Sequence, residues 1–348
     1  MRNLSLWTKV ARRMLTTEAS TVIDEDVNLY RRAHVGLRAT TKTLKPPRGK
    51  VFLAHGLFGW DVINIIAPKQ VPWLKLELKY WGDIDTSLRD MGVKVHLTKV
   101  PAVADVASRA KALRASLERV TANGEEVHIL AHSMGGLDAR YMLAHLPSNH
   151  FKVSTLTTIA TPHRGSSFMN FCRDKLGVGK QELTSSELQK MQITNAISDA
   201  LNLPHPNSMI GEGGVEGRAV RQMSVNPIIR AICSPFDQPA YANLTTTFCN
   251  DIFNRCVPNH ADTLYYSYAA VCKDISLFHP LRACHDIVSK REGANDGLVS
   301  FKSAQWGTLR GVLDCNHWEI TSSSTKTKSF DAKGFYRSAA NLLYEEGW

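Results

Sequence analysis

The sequence predicts an α/β protein with a mostly parallel central sheet flanked by helices. Three observations support this. Short apolar runs alternate with helix-length amphipathic stretches between residues 51 and 159, and such alternation implies right-handed crossovers and a parallel sheet. The third run, 127–131, leads straight into Ser133 and a pair of glycines, Gly135 and Gly136, before a new helical stretch begins. After Pro162 the alternation stops and a loosely helical insertion follows over 166–235.

The elements follow in order. Residues 51–54 (Val-Phe-Leu-Ala) form a short apolar run and predict a buried strand. Helical spacing over 74–91, ending at Gly92, predicts a helix, and 93–100 a second strand. Ala104, Ala107, Leu113, Leu117 and Val120 give 103–120 the spacing of an amphipathic helix, closed by Asn123-Gly124. Residues 127–131 are the third strand, 137–146 the helix after it and 153–159 the fourth strand. Strand-like sequence resumes at 263–270, 297–301 and 311–313. The insertion, rich in Met and Leu, reads as a lid or cap over an apolar site, since loops of that length are usually functional.

Composition narrows the class. The chain has 348 residues, 43% of them hydrophobic and 21% charged, ordinary values for a globular protein. No stretch reaches the roughly 18 apolar residues of a membrane span. The formal charge of +10 comes with no zinc-finger spacing, RNP sequence or long Lys/Arg block, so no nucleic-acid partner is expected. Residues 1–20 carry Arg2, Lys9, Arg12 and Arg13 with no acid before Glu18, and Leu6, Val10 and Met14 recur at helical spacing. That is the composition of a mitochondrial transit peptide; a cytoplasmic protein with a basic helix on a membrane surface is the alternative. Residues 21–49 form an N-terminal extension ending in Lys-Pro-Pro-Arg-Gly, and 50–348 the main domain. The seven cysteines contain no C-x-x-C pair, so neither a zinc site nor a dense disulfide framework is indicated.

The strand–turn–helix setting of Ser133 is that of a nucleophile elbow. The turn demands small residues two before and two after the serine, here Ala131 and Gly135. A serine hydroxyl needs a base, and the base an orienting carboxylate. In such sheets the chain order is Ser, then acid, then His. Asp296, in Asn-Asp-Gly before 298–300, and His317, directly after 311–313, satisfy it. His279 and His285 precede Asp296 and break it. Asp274, Asp286 and Asp314 sit in less suitable contexts for the acid. Two backbone N–H groups must meet the transition-state oxyanion; Met134, after the serine, and Leu57, in His-Gly-Leu-Phe-Gly after the first strand, supply them. His55 and His132, each beside a strand end, read as structural.

These segments together resemble the α/β-hydrolase triacylglycerol lipases, in particular the bacterial true lipases and their fungal mitochondrial relatives. The matching text is His55-Gly56-Leu57-Phe58-Gly59, Ala131-His132-Ser133-Met134-Gly135-Gly136, Thr161-Pro162-His163-Arg164-Gly165-Ser166, Asn243-Leu244-Thr245-Thr246, Asn295-Asp296-Gly297-Leu298-Val299-Ser300 and Asn316-His317, in order across about 50–320. The resemblance implies an α/β-hydrolase fold and a serine ester hydrolase. Ser133, Asp296 and His317 would be its triad, Leu57 and Met134 its oxyanion hole and 166–235 its lid. It implies acylglycerols or other lipid esters as substrates, met at a membrane or lipid-droplet surface, with no cofactor required. A phospholipase or lipid acyltransferase shares the same acyl chemistry, and a silent hydrolase-fold binding protein is the remote alternative. Bacterial relatives hold a structural Ca²⁺ with two carboxylates, for which Asp274 and Glu319 stand near the matching places. The family text after the histidine is Leu-Asp, and here it is Trp318-Glu319.

Overall fold

A computed structural model describes residues 44–57, 63–66, 75–78, 80–179, 238–273, 275–276, 279–321 and 330–348. The basic leader, most of the extension and most of the 166–235 insertion lie outside the described residues. Six strands form one sheet: β1 (Lys50–Ala54), β4 (Val95–Leu97), β5 (Glu125–His132), β6 (Phe151–Ile159), β7 (Leu264–Ala270) and β8 (Thr308–Leu313). Their spatial order is β4-β1-β5-β6-β7-β8, and every pairing is parallel. The described helices include α1 (Ile84–Asp90), α2 (Val106–Glu118), α3 (Gly135–His145), α4 (Ser167–Phe171), α5 (Pro239–Asn243), α6 (Arg282–Glu292) and α7 (Ala332–Glu345). Among the described residues no helix is long and apolar enough to cross a membrane.

The strands are apolar on both faces because helices cover both. Phe52, Val127, Ile129 and Leu156 pack with Ala110, Leu113 and Leu117 of α2 on one side. Val51, Leu53, Leu130 and Tyr268 pack with α1 and α7 on the other. This burial explains the continuous apolar runs, as expected of an all-parallel sheet.

Three sequence expectations are corrected. The helix expected over 74–91 is confined to α1, because 75–78 is a strand, β3 (Lys75–Leu78), paired antiparallel with β2 (Ile63–Ile66). The chain then turns through Gly82 at φ 50° before α1 begins. Residues 297–301 form a turn closed by a single bridge, Asn295 to Ser300. The Asp296 carboxylate takes the Leu298 and Val299 N–H groups at 2.9 and 2.8 Å, which a strand would have paired with a neighbour. Finally, α6 and α7 were not foreseen, although Phe335, Tyr336, Ala339, Ala340 and Leu343 of α7 bury one helical face.

One core group gives the fold a pH response. His128 on β5 is buried, its Nδ1 set 2.9 Å from Thr155 Oγ1, and burial pushes its pKa down to about 4. The folded state thus binds its proton less readily than the unfolded chain. Its full contribution to stability is present above about pH 6.5 and is lost as pH falls toward 4, on the order of 3–4 kcal/mol. Thermal melts are expected to drop in midpoint through this window, and less steeply for His128→Gln; equal slopes for both proteins would contradict the assignment.

Candidate active site

The elbow forms where β5 ends. Ser133 holds φ 55°, a left-handed conformation for a residue with a side chain, costing about 1–3 kcal/mol. Its surroundings enforce it. The Ser133 N–H donates to Ile159 O at 2.9 Å, and its carbonyl accepts the Thr161 hydroxyl at 2.7 Å and the Gly136 N–H at 3.1 Å. Gly135 is required: a Cβ there would lie 2.6 Å from Ala54 O. Gly136 is required too, since a Cβ would lie 2.3 Å from Thr161 Oγ1. Ala131, fully buried at the last registered pair with β1, fits without difficulty.

The three sequence-derived residues converge. Ser133 Oγ lies 3.0 Å from His317 Nε2, and His317 Nδ1 lies 2.7 Å from Asp296 Oδ2. They come from separate places at the carboxyl end of the sheet: the β5–α3 turn, the loop after α6 and the loop after β8. Asp296 and His317 are further tied by the His317 N–H, which donates to Asp296 O at 2.9 Å. With Oδ1 accepting two backbone N–H groups, Oδ2 is left to face the imidazole. All three side chains are buried or nearly so.

Met134 caps α3, so its N–H is among the donors that a helix start leaves without an intrahelical acceptor. Across from it, the loop after β1 is fixed peptide by peptide. The Gly56 carbonyl accepts Arg109 Nη2 at 3.2 Å and sits 3.0 Å from His55 Nδ1. A trans peptide is planar, so the Leu57 N–H points opposite that pinned carbonyl. Leu57 and Met134 also share one apolar cluster. Gly56 packs against the serine: a Cβ there would lie 2.6 Å from Ser133 Cβ.

Sequence reasoning missed the residues that hold this loop. Arg109 of α2 and Asp138 of α3 form a fully buried ion pair, Nη2 to Oδ2 at 2.7 Å and Nε to Oδ2 at 2.9 Å. Arg109 also donates to His55 O at 2.8 Å and to Pro101 O at 2.7 Å. Burial pushes the Asp138 pKa up to about 6, and the Arg109 guanidinium opposes that rise. A signal existed: Arg109 sits on the apolar face of α2, between Val106 and Leu113. Tyr80 was missed as well. Its hydroxyl accepts the Gly56 N–H at 2.9 Å and contacts His132 Nδ1 at 2.6 Å.

Asp274 lies outside the described residues. Glu319 Oε2 accepts the Asn316 N–H at 2.8 Å, so this carboxylate caps the turn that carries His317. Among the described residues no cluster of three or more His, Cys, Asp or Glu is placed to hold a metal. His279 packs on Trp318 with ring centroids 5.5 Å apart. Cys249, its thiol donating to Asn243 O at 3.3 Å and its pKa pushed up to about 12 by burial, behaves as a small buried residue.

The parallel sheet and its flanking helices form an α/β-hydrolase fold. Comparison with known proteins carries the assignment further. A family profile described as "PGAP1-like alpha/beta domain" matches residues 104–200. Triacylglycerol lipase 2 of Saccharomyces cerevisiae is 26% identical over 332 residues, covering 84% of this chain and 86% of that protein. A triacylglycerol lipase of Pseudarthrobacter phenanthrenivorans is 32% identical over 150 residues, covering 41% and 42% of the two chains. The crystal structure of Staphylococcus hyicus lipase shares the fold with a TM-score of 0.55 at 17% identity, over 88% of this chain and all of that one. The chain is thus similar to triacylglycerol lipases, to the yeast enzyme over most of its length, and shares the fold of a solved lipase.

Proposed function

We propose that the protein is a serine hydrolase that cleaves the acyl esters of glycerolipids, acylglycerols first among them. The observation that carries this is the hydrogen-bonded chain Ser133 Oγ–His317–Asp296 at 3.0 and 2.7 Å, and the yeast triacylglycerol lipase similar over 84% of the chain suggests the substrate class.

The chemistry runs on side chains and backbone alone. His317 Nε2 takes the Ser133 proton as Oγ attacks the ester carbonyl. Asp296 holds Nδ1–H, fixes the tautomer and stabilises the imidazolium that forms. The oxyanion meets the N–H groups of Leu57 and Met134 in a site whose donors are already oriented. His317 then protonates the departing glycerol oxygen, leaving an acyl group on Ser133. Water, activated by the same histidine, releases the fatty acid.

The 166–235 insertion acts as the lid of this site, and the enzyme works at a membrane or lipid-droplet surface as a peripheral protein. Its amphipathic, acid-poor residues 1–20 direct it to mitochondria. Purified protein is expected to hydrolyse triolein and a short p-nitrophenyl ester, with phosphatidylcholine and monoacylglycerol as comparison substrates. A well-folded preparation without ester turnover would overturn the proposal, and phosphatidylcholine cleaved faster than triolein would reassign the substrate. An intact Met1 on protein recovered from mitochondria would contradict a cleaved leader.

A further inference from the structure

A buried hydrogen-bonded line joins the oxyanion loop to the base, and nothing in the triad chemistry requires it. The Gly56 N–H donates to Tyr80 Oη at 2.9 Å. The Tyr80 hydroxyl therefore has its own hydrogen to give, and His132 Nδ1, 2.6 Å away, receives it. That fixes the His132 tautomer with its proton on Nε2. The His132 ring in turn lies against the His317 ring, centroids 4.7 Å apart and planes tilted by 41°. His132 follows directly on Ala131 in β5 and precedes Ser133, so its backbone is set by the sheet.

His132 is not a second base. No carboxylate is hydrogen-bonded to it, and burial holds its pKa well below the usual histidine range. It stays neutral beside a histidine that becomes positive during turnover. A cation at that distance would oppose the imidazolium. Tyr80 is equally set in its neutral form, its pKa raised by burial. Trp81 and Tyr336 pack behind the pair, with Tyr80 and Trp81 centroids 5.2 Å apart and Trp81 and Tyr336 5.7 Å apart. Tyr80 is thus hydrogen-bonded both to the loop that presents Leu57 and to the histidine that backs His317.

We propose that Tyr80 and His132 are a positioning pair: Tyr80 anchors the His55–Gly56 peptide, from which the chain enters the Gly56–Leu57 peptide that presents the Leu57 N–H, while His132 sets the ring plane of His317. This rests on the assignment of Ser133 and His317 above. Neither residue touches the reacting atoms; both act through groups that do. Arg109 grips the carbonyl side of the same peptides, so the loop is held from both its N–H and its C=O faces. Misplacement of reacting groups by about 1 Å can cost on the order of 100-fold in rate, which is the scale at which such a pair acts.

The test is steady-state hydrolysis of a soluble short-chain p-nitrophenyl ester by the full chain. Tyr80→Phe and His132→Leu are each expected to lower kcat by about 10- to 100-fold while KM stays within about twofold. The double variant should lose little more than the worse single one, because the two act as a unit. His132→Asn keeps an acceptor near the Nδ1 position but lacks the ring that packs on His317, so it should recover only part of the His132→Leu loss. Tyr80→Phe with parental kcat, additive losses in the double variant, or His132→Asn as impaired as His132→Leu would each overturn the pair. Should Tyr80→Phe fail to fold, the contrast between His132→Asn and His132→Leu decides alone. Ser133→Ala run alongside separates the two layers: activity surviving there removes the site assignment itself, whereas an inactive Ser133→Ala with an unaffected Tyr80→Phe removes only the pair.

Discussion

Ser133→Ala is expected to leave a folded protein whose ester hydrolysis falls by about 10⁴- to 10⁶-fold, the range seen when a triad nucleophile is removed. The size follows from what the hydroxyl does. In the proposed reaction it forms the covalent bond, and no other hydroxyl is found in hydrogen bonds to His317 among the described residues. The fold should be untouched, since the left-handed turn at residue 133 is held by backbone bonds to Ile159, Thr161 and Gly136 and not by Oγ. Circular dichroism and a melt close to the parent's, with turnover at the background rate, are the expected readings. Asp296→Asn should fall nearly as far, about 10⁴-fold, because an amide at this place favours the wrong imidazole tautomer. A Ser133→Ala protein with more than about one hundredth of the parent activity would contradict the role.

The second large effect concerns stability. Arg109→Met leaves the Asp138 carboxylate buried and unpaired, and breaking such a pair costs about 3–5 kcal/mol. Replacing both partners, as in Arg109→Met with Asp138→Leu, removes the stranded charge and should restore most of that loss. It should not restore activity, because the carbonyls of His55 and Gly56 would still lack their donor. The melting temperature of Arg109→Met is expected to fall by about 5–15 °C. The double variant should melt near the parent yet remain at least tenfold slower in ester hydrolysis. A single variant as stable as the parent, or a double variant of full activity, would show that the pair does not hold the loop.

Where local pattern decides the outcome, the sequence reads correctly. The runs at 51–54, 127–131 and 153–159 are apolar because helices cover both faces of the sheet, and each lies within a strand of the structure. Ser133, Asp296 and His317, which the structure brings into one hydrogen-bonded chain, could be picked out because each sits at a strand edge in a turn with its own composition and the three follow the chain order expected of this type of sheet. Contacts between distant segments were not legible. Residues 75–78 carry a helix-like spacing, yet they pair with 63–66, a choice made by the partner strand and invisible in the local pattern. The Asn-Asp-Gly turn does carry the carboxylate that meets His317, but 297–301 after it reads as a strand in the sequence alone. Asp296 itself prevents that by capturing the N–H groups of Leu298 and Val299. Arg109 and Asp138 stand 29 residues apart, and only the crossing of α2 over α3 unites them. Tyr80 and His132 are separated by 52 residues. His132 was read as a packing residue at a strand end; its neutral, buried state agrees with that, but its place against His317 could not be seen without the fold.

The most direct test of the central claim is covalent labelling with a p-nitrophenyl alkylphosphonate, which phosphonylates an activated serine and mimics the tetrahedral transition state. One equivalent of p-nitrophenol is expected per protein molecule. It should be released as turnover is lost, with the phosphonyl mass carried by the peptide that contains Ser133 and no labelling of Ser133→Ala. Label on a different residue, or full loss of activity with Ser133 unmodified, would contradict the account.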